Sequence, residues 1–366
     1  MKKKRYCLVS FCNIYLLPYA KIYIDAINSA DAECDLLFWD RDAVNGENDK
    51  FDNCNKLYYQ KKITPESSGK DKLLGYIGAR NYFVNCLKSE NYDGVIFLQT
   101  HTAVACKGLL SKKYKGKYIV DVRDYTLENI NFYRKLEQSV IADSYATVIS
   151  SPAYKKFLPD GNFVVAHNFS QFPEERANKI KELNKNISSE PIRISFVGTV
   201  RFIEMDKKIL KCFANDERFQ VNYNGTGSDV LKAFCENENI NNVDFHGSFS
   251  PDKTLDFYEK TDLINNLYGN HNPFLDYALS NKLYHSGQLH IPILVCPETY
   301  MEDVSLEYNM GYVFDVDKNG CKDDLYEWYC NLDRAQFSKG CDEFISNVKK
   351  ENVIYQKVIR DFLSRD

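Results

Sequence analysis

The sequence predicts an α/β protein of two doubly wound domains that face a cleft. Three observations carry this. Short apolar runs alternate with stretches at helical spacing along the chain, the pattern of parallel β-α-β units. At 366 residues the chain exceeds one ordinary core and suits two domains of roughly 150 residues each. The alternation breaks once, over residues 169–191, and then restarts.

Each element follows from its residues. Strands are expected at 5–11 (RYCLVSF), 34–39 (CDLLFW), 92–100 (YDGVIFLQT), 117–124 (KYIVDVRD), 145–151 (YATVISS) and 162–168 (NFVVAHN). Helices are expected at 20–30, 73–90 and 131–144, with a short one at GLLSKKY. The stretch FSQFPEERANKIKELNKNISSEP (169–191) is polar and nearly strand-free, and reads as a linker containing some helix. Strands resume at 192–199, 218–225, 242–247, DLINNLY, IPILV and 310–316, with helices at 206–216, 228–240 and 251–261 between them. Pro251 suits a helix first turn. The tail from Cys341 is amphipathic and helical. The division is therefore 1–168, a linker 169–191, and 192–345, with 346–366 returning to the first domain.

Composition narrows the function classes. Net charge is −4 and the pI is near 6.0, which disfavours a nucleic-acid binder. Twelve cysteines are scattered without CxxC or zinc-like spacing, and the apolar part of the basic start is too short for a secretory signal. Reduced cysteines in a cytoplasmic protein are expected. No 18-residue apolar run exists to span a membrane. The basic run Lys2 to Arg5 is either a solvated terminus or a contact with an anionic bilayer at the inner face. The oligomeric state has no sequence signature.

Four stretches of the second half carry candidate chemistry. In FVGTVRFIEMDKK, a strand ends at Gly198, a loop holds Arg201, and Lys207 lies at a helix start. Glycine lets the backbone approach a phosphate, and the two cations would hold its oxygens. A plain strand-to-helix turn with surface basics reads the same residues. YNGTGSD places Gly225 and Gly227 after a strand, but position 230 is Val, so the dinucleotide fingerprint fails. DFHGSFS leaves Phe249 in a loop against which a flat base could sit, or it is one exposed ring. In SNKLYHSGQLHIPILV, Ser280 or Asn281 caps a helix whose first turn contains Lys282. A lysine there opposes the helix dipole, a penalty that a bound diphosphate would reverse.

In this order the four stretches resemble the nucleotide-binding domain of retaining GT-B glycosyltransferases of the family 4 type, which build bacterial capsules, exopolysaccharides and lipopolysaccharides. The resemblance covers 192–316, with a looser match at VDVRD and ADSYATVISSPAYKKFL…VVAHNF and less before residue 90. It implies two Rossmann-like domains and transfer of a sugar from a nucleotide-diphosphate sugar, UDP-sugar by default, to a saccharide or lipid-linked acceptor. Retention and metal independence are implied too. By resemblance, Gly198, Gly225, Phe249, Ser280, Asn281, Lys282 and Leu283 bind the nucleotide, and Arg201 and Lys207 stabilise the leaving diphosphate. Asn270, His271 and Asn272 would read the donor sugar. On the acceptor side lie His101, Asp124, Asn13 and Tyr15. The family's Glu-x7-Glu pair is missing: positions 277 and 285 are Tyr and His, so His285 or a neighbour would contact the ribose. The Gly-Gly loop after the first strand is replaced by FCNIYLLPY. Two D-x-D runs, WDRDA and FDVDK, read as loop acids rather than metal ligands. A UDP-sugar 2-epimerase of the same fold and a non-catalytic nucleotide-binding homologue are the alternatives.

Overall fold

The computed structural model of the chain describes residues 3–44, 51, 53–185 and 191–365. Lys2 of the basic run and residues 186–190 of the expected linker lie outside them. The chain forms two compact units, residues 1–168 with 350–366, and residues 169–349.

The first unit is a seven-stranded parallel sheet. Its strands are β1 (Arg5–Ser10), β2 (Glu33–Asp40), β3 (Asn55–Gln60), β4 (Gly94–Phe97), β5 (Tyr118–Val122), β6 (Ala146–Ile149) and β7 (Phe163–Val165). They lie in the order β3-β2-β1-β4-β5-β6-β7. Helices α1 (Ala20–Ser29), α2 (Gly69–Ser89), α3 (Thr100–Leu109) and α4 (Asn131–Ala142) connect them, α3 continuing as a π turn over Leu110–Tyr114. Central strands bury both faces, so β1, β4 and β6 read as largely apolar runs, and β5 as one interrupted by Asp121. The edge strand β3, KLYYQ, is half-exposed along its length and lacks such a run, which is why sequence reading passes over it.

The second unit is a six-stranded parallel sheet of β8 (Ile192–Val197), β9 (Phe219–Asn224), β10 (Val243–His246), β11 (Leu263–Asn266), β12 (Ile293–Val295) and β13 (Gly311–Val313), in the order β10-β9-β8-β11-β12-β13. Its helices are α5 (Glu174–Leu183), α6 (Ile203–Cys212), α7 (Asp229–Glu238), α8 (Thr254–Tyr258), α9 (Pro273–Asp276), α10 (Asn281–Leu289), α11 (Tyr300–Glu307), α12 (Cys321–Cys330) and the start of α13 (Arg334–Ser364). The stretch read as a linker thus holds α5, whose Ala177 and Ile180 are buried in the second unit's core. Helix α13 runs out of that unit, and its last turns add Tyr355, Ile359, Phe362 and Leu363 to the core of the first.

Both sheets are doubly wound, as the alternating pattern predicts. In each, the strand order reverses once: between β1 and β4, and between β8 and β11. At such a reversal the loops leave the strand ends in opposite directions and open a crevice at the carboxyl edge.

Candidate functional site

The crevice of the second sheet is built first by glycine. A Cβ on Gly225 would stand 1.9 Å from the Gly198 carbonyl oxygen, and both residues have positive φ, +141° and +140°. Only glycine allows the loops after β8 and β9 to run this close. They are then laced together: Gly198 N–H donates to the Asn224 carbonyl (2.9 Å), Val200 N–H to that of Thr226 (2.9 Å), and Gly225 N–H to that of His246 (2.8 Å).

Helix α10 brings the cation. Ser280 is its N-cap: the hydroxyl accepts from Lys282 N–H (3.1 Å) and donates to Asn266 Oδ1 (2.6 Å) at the end of β11. This tie fixes the helix start against the sheet. Lys282 is buried, its amine donating to Tyr268 Oη (2.6 Å) and lying 4.2 Å from the Phe196 ring centroid. The same amine is 3.6 Å from where a Gly198 Cβ would stand, so it sits at the β8 end of the crevice. Burial pulls it down to about 7; Asp206 opposes that fall and Arg201 adds to it. Asp206, buried on α6, accepts from Tyr223 Oη (2.9 Å), and burial lifts its carboxyl to about 6 despite Tyr223 and Lys282.

Arg201 is exposed, and among the described residues it has no hydrogen-bond or ion-pair partner in the crevice loop. Its charge nonetheless reaches Lys282 and Tyr268. Lys207 turns elsewhere. Its amine pairs with Glu204 (2.8 Å) and lies over the Phe234 ring of α7, because α6 begins at Ile203 and Lys207 falls in its second turn. Leu283 is wholly buried in the core behind α10, and Asn281 is exposed beside it.

The remaining residues divide the same way. Phe249 is half-buried and packs on Phe257, centroids 4.7 Å apart, so its ring belongs to the fold's apolar cluster. Between β11 and α9, Gly269 (φ +102°) and His271 (φ +58°) shape a tight loop. Asn270 Nδ2 donates to the Pro297 carbonyl (3.1 Å), Asn272 caps α9, and exposed His271 stands 3.9 Å from Glu298. His285 Nδ1 meets Tyr258 Oη at 3.0 Å, and its ring packs on Phe172; burial, with Lys282 nearby, lowers it to about 4.

In the first unit, the loops after β1 and β2 are pinned by Asn13, buried, which donates to Asp42 (2.8 Å) and accepts from Arg41 N–H (2.8 Å). Tyr15 also donates to Asp42 (2.6 Å). These bonds engage Asp42 of WDRDA; in FDVDK, Asp317 pairs with Lys208 (2.8 Å). His101 opens α3 after β4 and stacks on Phe11, centroids 5.7 Å apart; burial, with Arg41, lowers it to about 4. Asp124 is exposed just past β5. Its neighbour Asp121 is committed to the core, accepting from Arg123 (2.6 Å) and Tyr23 (2.7 Å).

The structure therefore joins Gly198, Gly225, Ser280 and Lys282 in one crevice rimmed by Arg201. Sequence reading misses Tyr268, Asp206 and Phe196, which surround the amine. Tyr268 lies two residues past β11, at the end of the stretch DLINNLY, and carried the signal of a polar ring just beyond a strand.

No family model matches the sequence, and no curated protein matches it. Solved structures do match the fold. A sucrose-phosphate synthase from Thermosynechococcus elongatus superposes with a TM-score of 0.72 at 9% identity, over 99% of this chain and 100% of that one. A glycosyltransferase from Rickettsia africae gives 0.65 at 11% identity, with 100% of both chains covered. Anabaena HepE in complex with UDP gives 0.64 at 10%, over 98% of this chain and 100% of that one. The chain has the GT-B fold of these enzymes; at such identities the likeness is one of fold.

Proposed function

We propose that the protein is a glycosyltransferase whose second unit binds a UDP-sugar and whose product is a cell-surface polysaccharide or its lipid-linked precursor. The observation that carries this reading is the crevice at the β8/β11 reversal. There a buried lysine, an arginine without a hydrogen-bond or ion-pair partner among the described residues, and two glycines that bare the backbone meet at the carboxyl ends of β8 and β9. That set suits a diphosphate: the glycines admit its bulk and the cations neutralise its charge. A fold neighbour, HepE, has been solved with UDP and with UDP-glucose, which supports uracil as the base.

On this reading the bond from the anomeric carbon to the diphosphate oxygen breaks, an acceptor hydroxyl oxygen bonds to that carbon with retention, and the hydroxyl's proton passes to the departing diphosphate. Negative charge grows on the departing oxygen, and Arg201 with protonated Lys282 stabilises it without a metal. Asn270, His271 and Asn272 face the sugar. Asp124 and neutral His101 are the acceptor-side polar groups, for a saccharide or lipid-linked saccharide.

Calorimetric titration with UDP and GDP, followed by turnover assays with UDP-sugars with and without saccharide acceptors, tests the reading. Binding of UDP with acceptor-dependent sugar transfer is expected. An epimer formed from UDP-N-acetylglucosamine without acceptor, or no nucleotide binding at all, would end it.

A further inference from the structure

We propose that Glu128 and Glu137, with the hydroxyls of Thr126 and Tyr133, form a buried site for one hard, oxygen-seeking divalent cation, Ca²⁺ foremost. The residues come from the loop after β5 and the first two turns of α4. Glu137 is the anomaly. Its side chain is 0% exposed, and among the described residues neither carboxylate oxygen has a hydrogen-bond partner. A buried carboxyl group is ordinarily satisfied by donors or by a cation, because leaving it bare is costly. What faces Glu137 has the wrong sign: the carboxyl of Glu128, itself buried, lies within hydrogen-bonding reach. Arg134, three positions earlier on α4, eases the charge only from a distance.

The nearby donors go to Glu128 instead. Thr126 gives it both its N–H and its hydroxyl, the latter at 2.9 Å, and Tyr133 Oη lies 3.1 Å from Thr126 Oγ1. Tyr154, which also feels the charge of Glu128, donates to the Arg123 carbonyl (2.6 Å). Two carboxylates side by side repel unless a positive charge lies between them. A proton is the smallest such charge, and the pair shares one when no metal is bound. A divalent cation engages more of the set. The carboxylates offer up to four oxygens and the hydroxyls two more, about the number that Ca²⁺ takes in irregular geometry. Mg²⁺ demands a near-octahedral shell and keeps several waters, which so buried a pair admits less well. Thr126 is half-buried, so the site meets the surface through it. It also lies two residues past Asp124, so a bound ion would set the segment that carries this acceptor-side carboxylate. No member of the set belongs to the crevice of the second sheet, and the diphosphate charge stays with Arg201 and Lys282.

The inference does not depend on the donor reading. Calorimetric titration of the chelator-treated full chain with CaCl₂ and with MgCl₂, without nucleotide, tests it together with thermal denaturation in the same salts. One Ca²⁺ per chain is expected, with a higher Tm in millimolar Ca²⁺ than in chelator and weaker binding of Mg²⁺. Burial and Glu128 keep a proton on Glu137 at neutral pH, so the ion must displace it. About one proton should therefore be released per Ca²⁺ at pH 7, seen as a buffer-dependent enthalpy. Glu137→Gln should lower the Ca²⁺ affinity at least ~tenfold, end the proton release and erase the Ca²⁺-dependent rise in Tm, while UDP binding stays unchanged. Thr126→Val, which keeps both carboxylates, should weaken Ca²⁺ binding by less. A wild-type chain whose heat signal and Tm ignore both ions would overturn the proposal and leave a proton-sharing pair. So would Ca²⁺ binding that Glu137→Gln does not weaken, or that releases no proton at pH 7. UDP binding without Ca²⁺ binding sinks this site alone; the converse sinks the donor reading alone.

Discussion

Lys282 is an ammonium held where it is half-inclined to lose its proton. Burial brings it to about 7, so near neutral pH the free protein carries a mixed population. A diphosphate favours the charged form, and its binding near pH 7 should therefore take up protons. Titrations in buffers of different ionisation enthalpy should show a net uptake that vanishes in Lys282→Met; equal apparent enthalpies in all buffers would refute it. Binding should also weaken as pH rises above 7. The folded value lies below the unfolded one of 10.5, so unfolded chains bind more protons between about 7 and 10.5, and this residue's burial costs less stability as pH rises through that window. Arg201→Ala should lower kcat by roughly 10²–10³-fold, the usual scale for losing one oxyanion-stabilising group. Glu137 is the opposite case. It is fully buried on α4, and burial followed by the charge of Glu128 raises it to about 8. Folded chains hold its proton between 4.5 and about 8, so its contribution falls as pH rises across that range. Glu137→Gln should raise the Tm at pH 8, worth roughly 2–4 kcal/mol, with the gain gone near pH 4.5. Lys282 was legible in the sequence as a cation at the wrong end of a helix. Its surroundings were not, because Phe196, Asp206 and Tyr268 come from three separate segments that only the sheet order brings together.

Elements were most legible where burial left a continuous apolar run. The central strands of both sheets fall within the predicted stretches. Strand β3, half-exposed, and helices α11 and α12, which flank β13 without a strong apolar stripe, carry too little contrast to be read. Loop chemistry was read less well than strands: YNGTGSD reads as two glycines after a strand with a failed fingerprint, whereas Gly225 is required by the carbonyl of a glycine 27 positions earlier. Gly225→Ala should therefore destabilise by more than ~3 kcal/mol and abolish UDP binding, since backbone must move to admit the methyl. Gly108→Ala makes the contrast. It lies in α3 with open space around its Cβ position, and should stabilise by about 0.5–1 kcal/mol in thermal denaturation.

At the scale of the molecule, each sheet has its own core, so ligand binding to one should be felt first within it. Hydrogen exchange with saturating UDP is expected to protect the loops at 198–201, 225–228, 268–272 and 280–283, with the first unit's β1 and β4 loops changing less; protection confined to the first unit would contradict the assignment. The two cores are nonetheless unequal in how the chain supplies them. Tyr355, Ile359, Phe362 and Leu363 reach the first core from the opposite end of the sequence. On the ribosome, the first core must therefore wait with an open flank until residues 355–363 have emerged, while the second can close once its own residues have. A stop codon after Lys349 should leave a protease-resistant second unit beside a readily digested first one, so a break there would be felt some two hundred residues upstream.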